Sequence, residues 1–322
     1  MIKFILKRFI DLIPTLLIVI TIVFVITRII PGDPAIVLLG PQASVEDVNE
    51  MNQKLGLNEP IYKQYFHYIA NLLQGDLGDS IAYNNQSVAG LILERFPNTL
   101  ILGISAILIA LVVGVTAGVV AAVKQNTVID YSVIVMSLVG VSMPVFWLGL
   151  MLVLLFSVNL GWLPSIGIGN LEDGFWNFIK YLILPSIALA TIPMAEFARI
   201  TRSSMLEVVN HDYIKTARSK GLSELRVICK HAFKNSLTPL LTVSGMQISM
   251  MLGGAILTET IFSWPGVGRL IIDAIDKRDF MVVQGTVLFI AIVFVLVNLV
   301  VDILYKVVNP RVNYSSGKGG GK

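Results

Sequence analysis

Six apolar stretches alternate with polar ones along the 322 residues. The first runs from Ile10 to Ile30. The others run from Asn98 to Val123, Tyr131 to Leu160, Tyr181 to Ile200, Leu240 to Thr258 and Met281 to Val308. A helix rises about 1.5 Å per residue, so runs of this size match a hydrocarbon core of roughly 30 Å. The pattern predicts an all-α, polytopic membrane protein with six transmembrane helices. The first run is too long for a signal-peptide core and no A-x-A-like site follows it, so it reads as an uncleaved span.

The polar stretches carry their own helical punctuation. Residues 31–97 predict a small helical cap with too little core to stand alone. Ser44 and Asp47 form a capping box, and Pro60 opens a helix whose Ile61, Tyr65, Tyr68, Ile69 and Leu72 share a face before Gly75. Ser87 is placed to cap a third short helix over 88–96, ended by Pro97. Within the spans, Pro144, Pro185 and Pro193 are kink candidates. Gly103, Gly114 and Gly118 include small-xxx-small spacing that permits close helix contact. Residues 259–280 read as a Trp-Pro-Gly turn followed by an amphipathic helix. The expected division is 1–30 for the N-terminus and first span, 31–97 for the cap, 98–308 for a five-span core, and 309–322 for a tail with no core-forming capacity.

Apolar residues make up 55% of the chain and charged ones 14%, too apolar for a soluble domain. The distribution of charge sets orientation. With both termini inside, the inner segments hold 16 of the 24 Lys and Arg, and the outer ones hold 8 beside 14 acids, as the positive-inside rule requires. The one cysteine, Cys229, permits no intrachain disulfide.

Half of those inner cations lie between Arg199 and Lys234, around a loop at 205–239. Its pattern is helix, glycine, helix. Met205, Leu206, Val209, Tyr213, Ile214 and Ala217 recur at helical spacing, and Gly221 supplies a left-handed stop. Ser223 and Glu224 open a second helix with Leu225, Ile228 and Ala232 near one face and Arg226, Lys230 and Lys234 on another. Pro239 then enters the next span. A basic loop that only sets topology is the simpler reading; the ordered layout suggests a docking element.

The strings Asp212-Tyr-Ile-Lys-Thr-Ala-Arg-Ser-Lys-Gly-Leu222 and His231-Ala-Phe-Lys-Asn-Ser-Leu-Thr-Pro239 resemble the EAA loop of ABC-importer permeases of the dipeptide/oligopeptide/nickel family. Lys215-Thr216-Ala217 stands where the general pattern has Glu-Ala-Ala, and the Gly-to-Pro interval is longer, as in the peptide-type branch. Further strings resemble the family in order and spacing: Pro31-Gly-Asp-Pro34, Leu55-Gly-Leu57, Gly75-Asp-Leu-Gly78, Arg199 to Leu206, Thr258 to Gly268, Arg278-Asp-Phe280 and Asn309-Pro-Arg311. The resemblance implies a permease subunit of an ATP-driven, binding-protein-dependent importer in a bacterial or archaeal inner membrane. It implies four partners besides membrane lipid: a second homologous permease, two cytoplasmic ATPase subunits and an external binding protein. Nucleic acid is not among them. Tyr213, Lys215, Thr216, Ala217, Lys220, Gly221, Leu222 and Arg226 are the expected ATPase-coupling residues. Di- or oligopeptides and glutathione-like peptides are the expected solutes, with nickel or a metal chelate as the alternative.

No G-x-x-x-x-G-K-[ST] string occurs, so ATP and Mg would be held by the partner subunits and this chain is expected to carry no cofactor and no catalytic or metal site. An ion-coupled transporter places ionisable groups near the bilayer midplane. Here Glu196, Arg199 and Asp302 hug the inner edge instead. Glu196 and Arg199, three apart, are expected to pair, and with Met143, Phe146 and Trp147 they are the candidates for the translocation path. Asp76 and Asp79 are the candidates for contact with the binding protein.

Overall fold

The computed structural model describes residues 2–29, 39, 42–54, 58–80 and 82–308. The motifs at 31–34, 55–57 and 309–311, the tail at 309–322 and the side chain of Asp302 lie outside the described residues. Eleven named helices follow one another: α1 (Ile2–Ile29), α2 (Val45–Lys54), α3 (Ile61–Leu73), α4 (Val88–Val123), α5 (Val128–Ser142), α6 (Val145–Asn159), α7 (Phe175–Val209), α8 (Asp212–Ser219), α9 (residues 224–261), α10 (Val267–Asp276) and α11 (Phe280–Val308). Among the described residues the only β pairing is an isolated bridge between Asp79 and Ser87.

Among the described residues three helices are long and apolar enough to cross a membrane: α4, α7 and the 280–301 part of α11. Two bent pairs are also apolar enough when taken together, α5 with α6 and the two arms of α9, which bend by 49° between Met251 and Ala255. With each bent pair counted as one span, the described residues hold up to five spans of a multipass all-α membrane protein, and the first expected span corresponds to the shorter apolar stretch 12–27 of α1.

The prolines behave differently from one another. Pro97 does not separate a cap helix from the second span: α4 runs through it for 36 residues. Pro185 and Pro193 likewise leave α7 helical for 35 residues. Packing explains this. Leu91 and Ile92 are buried in the turns before the exposed Pro97, Phe96 meets Phe289 edge-on at 5.0 Å, and Leu184, Ala188 and Pro193 are buried in α7. Burial there outweighs the lost N–H bond. At Pro144 nothing comparable holds the chain. Val141, Phe146 and Trp147 are exposed, Met143 takes the extended conformation that a following proline favours (ψ 128°), and the axis turns by 107°. The expected kink in span three is therefore a break.

The chain forms two compact units. One comprises Met1–Gly103, Gly149–Pro185 and Leu252–Phe294; the other comprises Ile104–Leu148, Ser186–Met251 and Val295–Lys322. The first is held by a core of Val88, Leu91, Ile92, Val267, Leu270, Ala274 and Val282, so α4, α10 and α11 share one apolar interior. Above that core is a buried polar corner. Glu259, fully buried, accepts from Thr99 Oγ1 at 2.7 Å and from the Arg269 N–H at 3.0 Å, while Thr99 accepts from the Val267 N–H at 2.8 Å. The carboxylate thus faces the free N–H groups of the α10 N-terminus. Gly266 and Gly268 are required by that approach, since a Cβ on Gly266 would overlap the carboxylate and one on Gly268 would meet Ile256 Cα at 2.6 Å. Trp264, also fully buried, donates to Asn98 O at 2.9 Å, and Asn98 Nδ2 donates to Pro265 O at 2.9 Å. Asp279 accepts from Ser80 Oγ at 2.6 Å and the Ala82 N–H at 2.8 Å, fixing the 76–82 loop to the start of α11.

In the second unit Gly114 and Gly118 of α4 lie against α7, where a Cβ on Gly118 would meet Ala198 O at 2.5 Å and Thr201 Cβ at 2.7 Å. That is the close contact expected of small residues four apart. A Cβ on Gly103 would meet nothing within 4 Å, so that glycine is not required by such a contact.

Candidate functional site

The 205–239 loop is built from its turn outward. α7 ends at Val209, two residues intervene, and α8 spans Asp212–Ser219. Gly221 has φ +75°, the left-handed value expected of it. Its N–H donates to Arg218 O at 2.9 Å and the Leu222 N–H donates to Ala217 O at 3.4 Å, the paired bonds of a Schellman stop. Ser223 then starts the next helix in extended geometry, with no side-chain cap bond.

The underside of the loop is apolar and closed. Ile214, Ala217, Val227 and Ala232 are buried with Met205 and Val208 of α7 and Ala122 of α4; Leu222, Ile228 and Phe233 pack around them. Full burial of a side chain such as Ile214 contributes about 1.5–3 kcal/mol, enough to hold a short helix that would not form alone. The upper side is polar and open. Tyr213, Lys215, Thr216, Lys220, Gly221 and Arg226 are exposed. Lys215 Nζ donates to Asp212 Oδ1 at 2.9 Å, and that ammonium holds the Asp212 carboxyl below the usual carboxylate range. Arg218 reaches across the turn to Glu224 at 2.8 and 3.3 Å, and Asn235 Nδ2 donates to Tyr213 Oη at 3.1 Å.

Of the eight expected coupling residues, six are therefore exposed. Ala217 belongs to the packed underside, and Leu222 is half-buried against it. The second helix departs from its expected phase. Residues 227–233 form a π turn, and α9 continues without interruption into the fifth span, leaving Pro239 inside a helix rather than at its entry. The wider turn moves Leu225 out to 75% exposure and Val227 in to 1%, so Leu225, Ile228 and Ala232 do not share a buried face.

The path candidates fall into two groups. Met143, Phe146 and Trp147 line an open recess at the α5–α6 break, together with Val139, Ser142 and Pro144. Glu196 and Arg199 pair with each other on α7, Arg199 Nη2 donating at 2.8 and 2.6 Å. Gly140, one turn before the break, rests on Thr191 and Ala195, next to Glu196. In the cap, Asp76 and Asp79 are exposed. Asp76 is committed locally, since its Oδ1 accepts from the Gly78 N–H at 2.8 Å. Asp76 also borders a cavity of about 150 Å³ with Glu59, His67 and Tyr68, where burial pushes the Tyr68 phenol up to about 12.

Sequence reading missed one pair. Asp130, fully buried at the first turn of α5, receives Arg202 Nη2 at 2.8 Å and also Nε, making a two-pronged ion pair. The available signal was a carboxylate at the very start of an apolar run, with no cation at helical spacing on its own helix.

Residues 114–314 match the family model described as binding-protein-dependent transport system inner membrane component, and residues 1–103 match the model for the N-terminal part of such components. The chain belongs to that family. It is 45% identical to the di/tripeptide transport system permease protein DppB of Pseudomonas aeruginosa (strain UCBPP-PA14), over 98% of this chain and 99% of that one. It is 46% identical to the dipeptide transport system permease protein DppB of Alkalihalophilus pseudofirmus, over 98% and 100%. Identity to the glutathione transport system permease protein GsiC of Escherichia coli O6:H1 is 42%, again over 98% and 100%. In fold it is similar to a chain of the MetNI methionine ABC transporter in inward-facing conformations, with a TM-score of 0.56 at 18% identity, over 69% of this chain and 97% of that one.

Proposed function

We propose that the chain is one permease subunit of an ATP-driven importer of short peptides: dipeptides, tripeptides or glutathione-like peptides. The observation that carries the reading is the two-sided loop, with its apolar underside fixed to α4 and α7 and six exposed residues held in one arrangement by the Gly221 stop. A surface so constrained suits docking into a groove of a cytoplasmic ATPase subunit, because little ordering entropy remains to be lost on binding. Two such ATPases hydrolyse Mg·ATP, a second homologous permease completes the path, and an external protein delivers the solute. Both termini and the loop face the cytoplasm of a bacterial or archaeal cell, and the cap and the 259–280 corner face outward. Relatives named for peptides and glutathione favour a peptide over nickel.

Uptake of a labelled dipeptide by proteoliposomes containing this chain and its co-encoded partners tests the proposal. Uptake should require ATP and be inhibited by unlabelled tripeptide or glutathione. ATP-independent uptake driven by an ion gradient would overturn the coupling reading, and transport of Ni²⁺ without peptide would overturn the solute.

A further inference from the structure

We infer that the Asp130–Arg202 pair is a strut that positions the coupling loop, carrying motion of α8 into the α4–α5 hairpin; this rests on the coupling role proposed above. The pair joins residues 72 apart in sequence, with the Asp130 side chain 1% exposed and that of Arg202 23% exposed. Its surroundings are built to hold it. Asn126 takes a left-handed conformation (φ 62°) in the α4–α5 turn and its N–H donates to Asp130 Oδ2 at 3.0 Å, so the carboxylate is fixed from its own side as well as by the guanidinium. Gly118 of α4 closes on α7 at the same level, where a Cβ would meet Arg202 N at 3.1 Å. One turn further along α7, Met205 is fully buried against Ala122 and the underside of α8.

The end of α7 is thus gripped by a glycine contact and an ion pair at one level and an apolar cluster one turn on, and α8 follows after two residues. Of the three grips the ion pair alone is directional. Two parallel N–H···O bonds fix both distance and rotation, whereas apolar contacts allow sliding. A displacement of α8 therefore turns the α5 N-terminus along with α7. Without the pair, α8 still packs and docks, but its movement is absorbed at the α5–α7 contact.

The test uses the reconstituted importer with Asp130→Asn, Arg202→Gln, the double variant and Arg202→Lys. ATPase co-purification should remain at the parental level in each. Peptide moved per ATP hydrolysed should fall about tenfold in either neutral variant and no further in the double, since the two residues act as one unit. Arg202→Lys, which keeps the charge and loses the fork, should fall between. An unchanged ratio in a well-assembled Asp130→Asn protein overturns the proposal. Loss of ATPase co-purification, or failure of all four variants to accumulate in the membrane, overturns it too by making the pair a support of the fold. Gly221→Val in parallel reports on the coupling reading itself: normal uptake there sinks that reading, whereas lost uptake there with full coupling in Asp130→Asn sinks the strut alone.

Discussion

The corner at 259–280 and the loop at 205–239 both interrupt apolar helices, both turn on glycine, and both carry charged side chains, yet they use these parts in opposite senses. At the corner the carboxylates of Glu259 and Asp279 point inward. Glu259, Thr99 and Asp279 are spent on N–H and O–H groups of their own chain, Asn98 Nδ2 donates to Pro265 O, and Trp264 is sealed beside them. In the loop the polar atoms point outward and the apolar ones inward, with ion pairs that lie in solvent. A buried hydrogen-bonded charge is expensive to disturb, whereas an exposed pair contributes little. The corner is therefore a fastening, and the loop leaves its polar side exposed, as the proposed docking requires.

The sharpest way to break this contrast is Gly266→Ala. It pushes a methyl into a buried carboxylate that has no room to move, and Glu259→Ala leaves the α10 N-terminus without its acceptor. Either should cost about 3 kcal/mol or more and remove the protein from the membrane, read as abundance and as a lower Tm in detergent. Accumulation at the parental level with unchanged Tm would mean that the corner is not a fastening.

Gly221→Val should do the reverse. A β-branched residue at φ +75° is strained by about 1–2 kcal/mol, too little to unfold spans that do not depend on the turn. Abundance should stay near normal while peptide uptake is lost, through loosened ATPase co-purification or hydrolysis without transport. Normal uptake by a well-expressed variant would return the loop to a topology-setting role.

A smaller effect is expected in the cap. Asp76 has a local task for Gly78, so its reversal mixes charge with turn geometry, and Asp79→Lys is the cleaner probe. It should weaken stimulation of ATPase activity at sub-saturating binding protein by a few-fold, about 1 kcal/mol for a rim charge. Unchanged stimulation would remove Asp79 from the contact.

The smallest effect is Asp212→Asn. Its carboxyl is held below the usual range by Lys215, so the pair's contribution is full above the ordinary carboxylate pKa and is lost as pH falls through the lowered one. Near neutral pH the variant should lose only that exposed pair and keep its Tm, while the parental protein's small advantage should disappear on strong acidification.

Much of this was legible because bilayers impose simple lengths. The apolar runs announced the spans, and Gly221 announced a turn, since a helix followed by glycine and a fresh cap allows few alternatives. Ser44 and Asp47 also met as expected, at 2.7 Å. What escaped depends on contacts far apart in sequence. Nothing local distinguishes Pro97, which a packed core carries through, from Pro144, where exposed neighbours let the chain fold over. Asp130 and Arg202 each look like ordinary loop-edge charges until two helices bring them together. Ala217 reads as part of the docking motif by position, but its methyl fills the underside. The π turn at 227–233 has no signature in apolar periodicity; it shifts the phase, so Leu225 falls outside.

That π turn has a consequence for how such chains can vary in length. A π segment accommodates a residue that an α-helix would not, and its deletion can be healed by closing the backbone to α geometry. Removal of one residue between Val227 and Phe233 would leave the fifth span helical and its membrane face unaltered. Because the π turn already holds that one extra residue, closing it keeps Gly221 and Arg226 aimed as they are, whereas the same deletion elsewhere in the helix would swing them by about 100° around the rod. A single-codon loss is therefore absorbed at this point without re-aiming the loop or rebuilding the membrane domain.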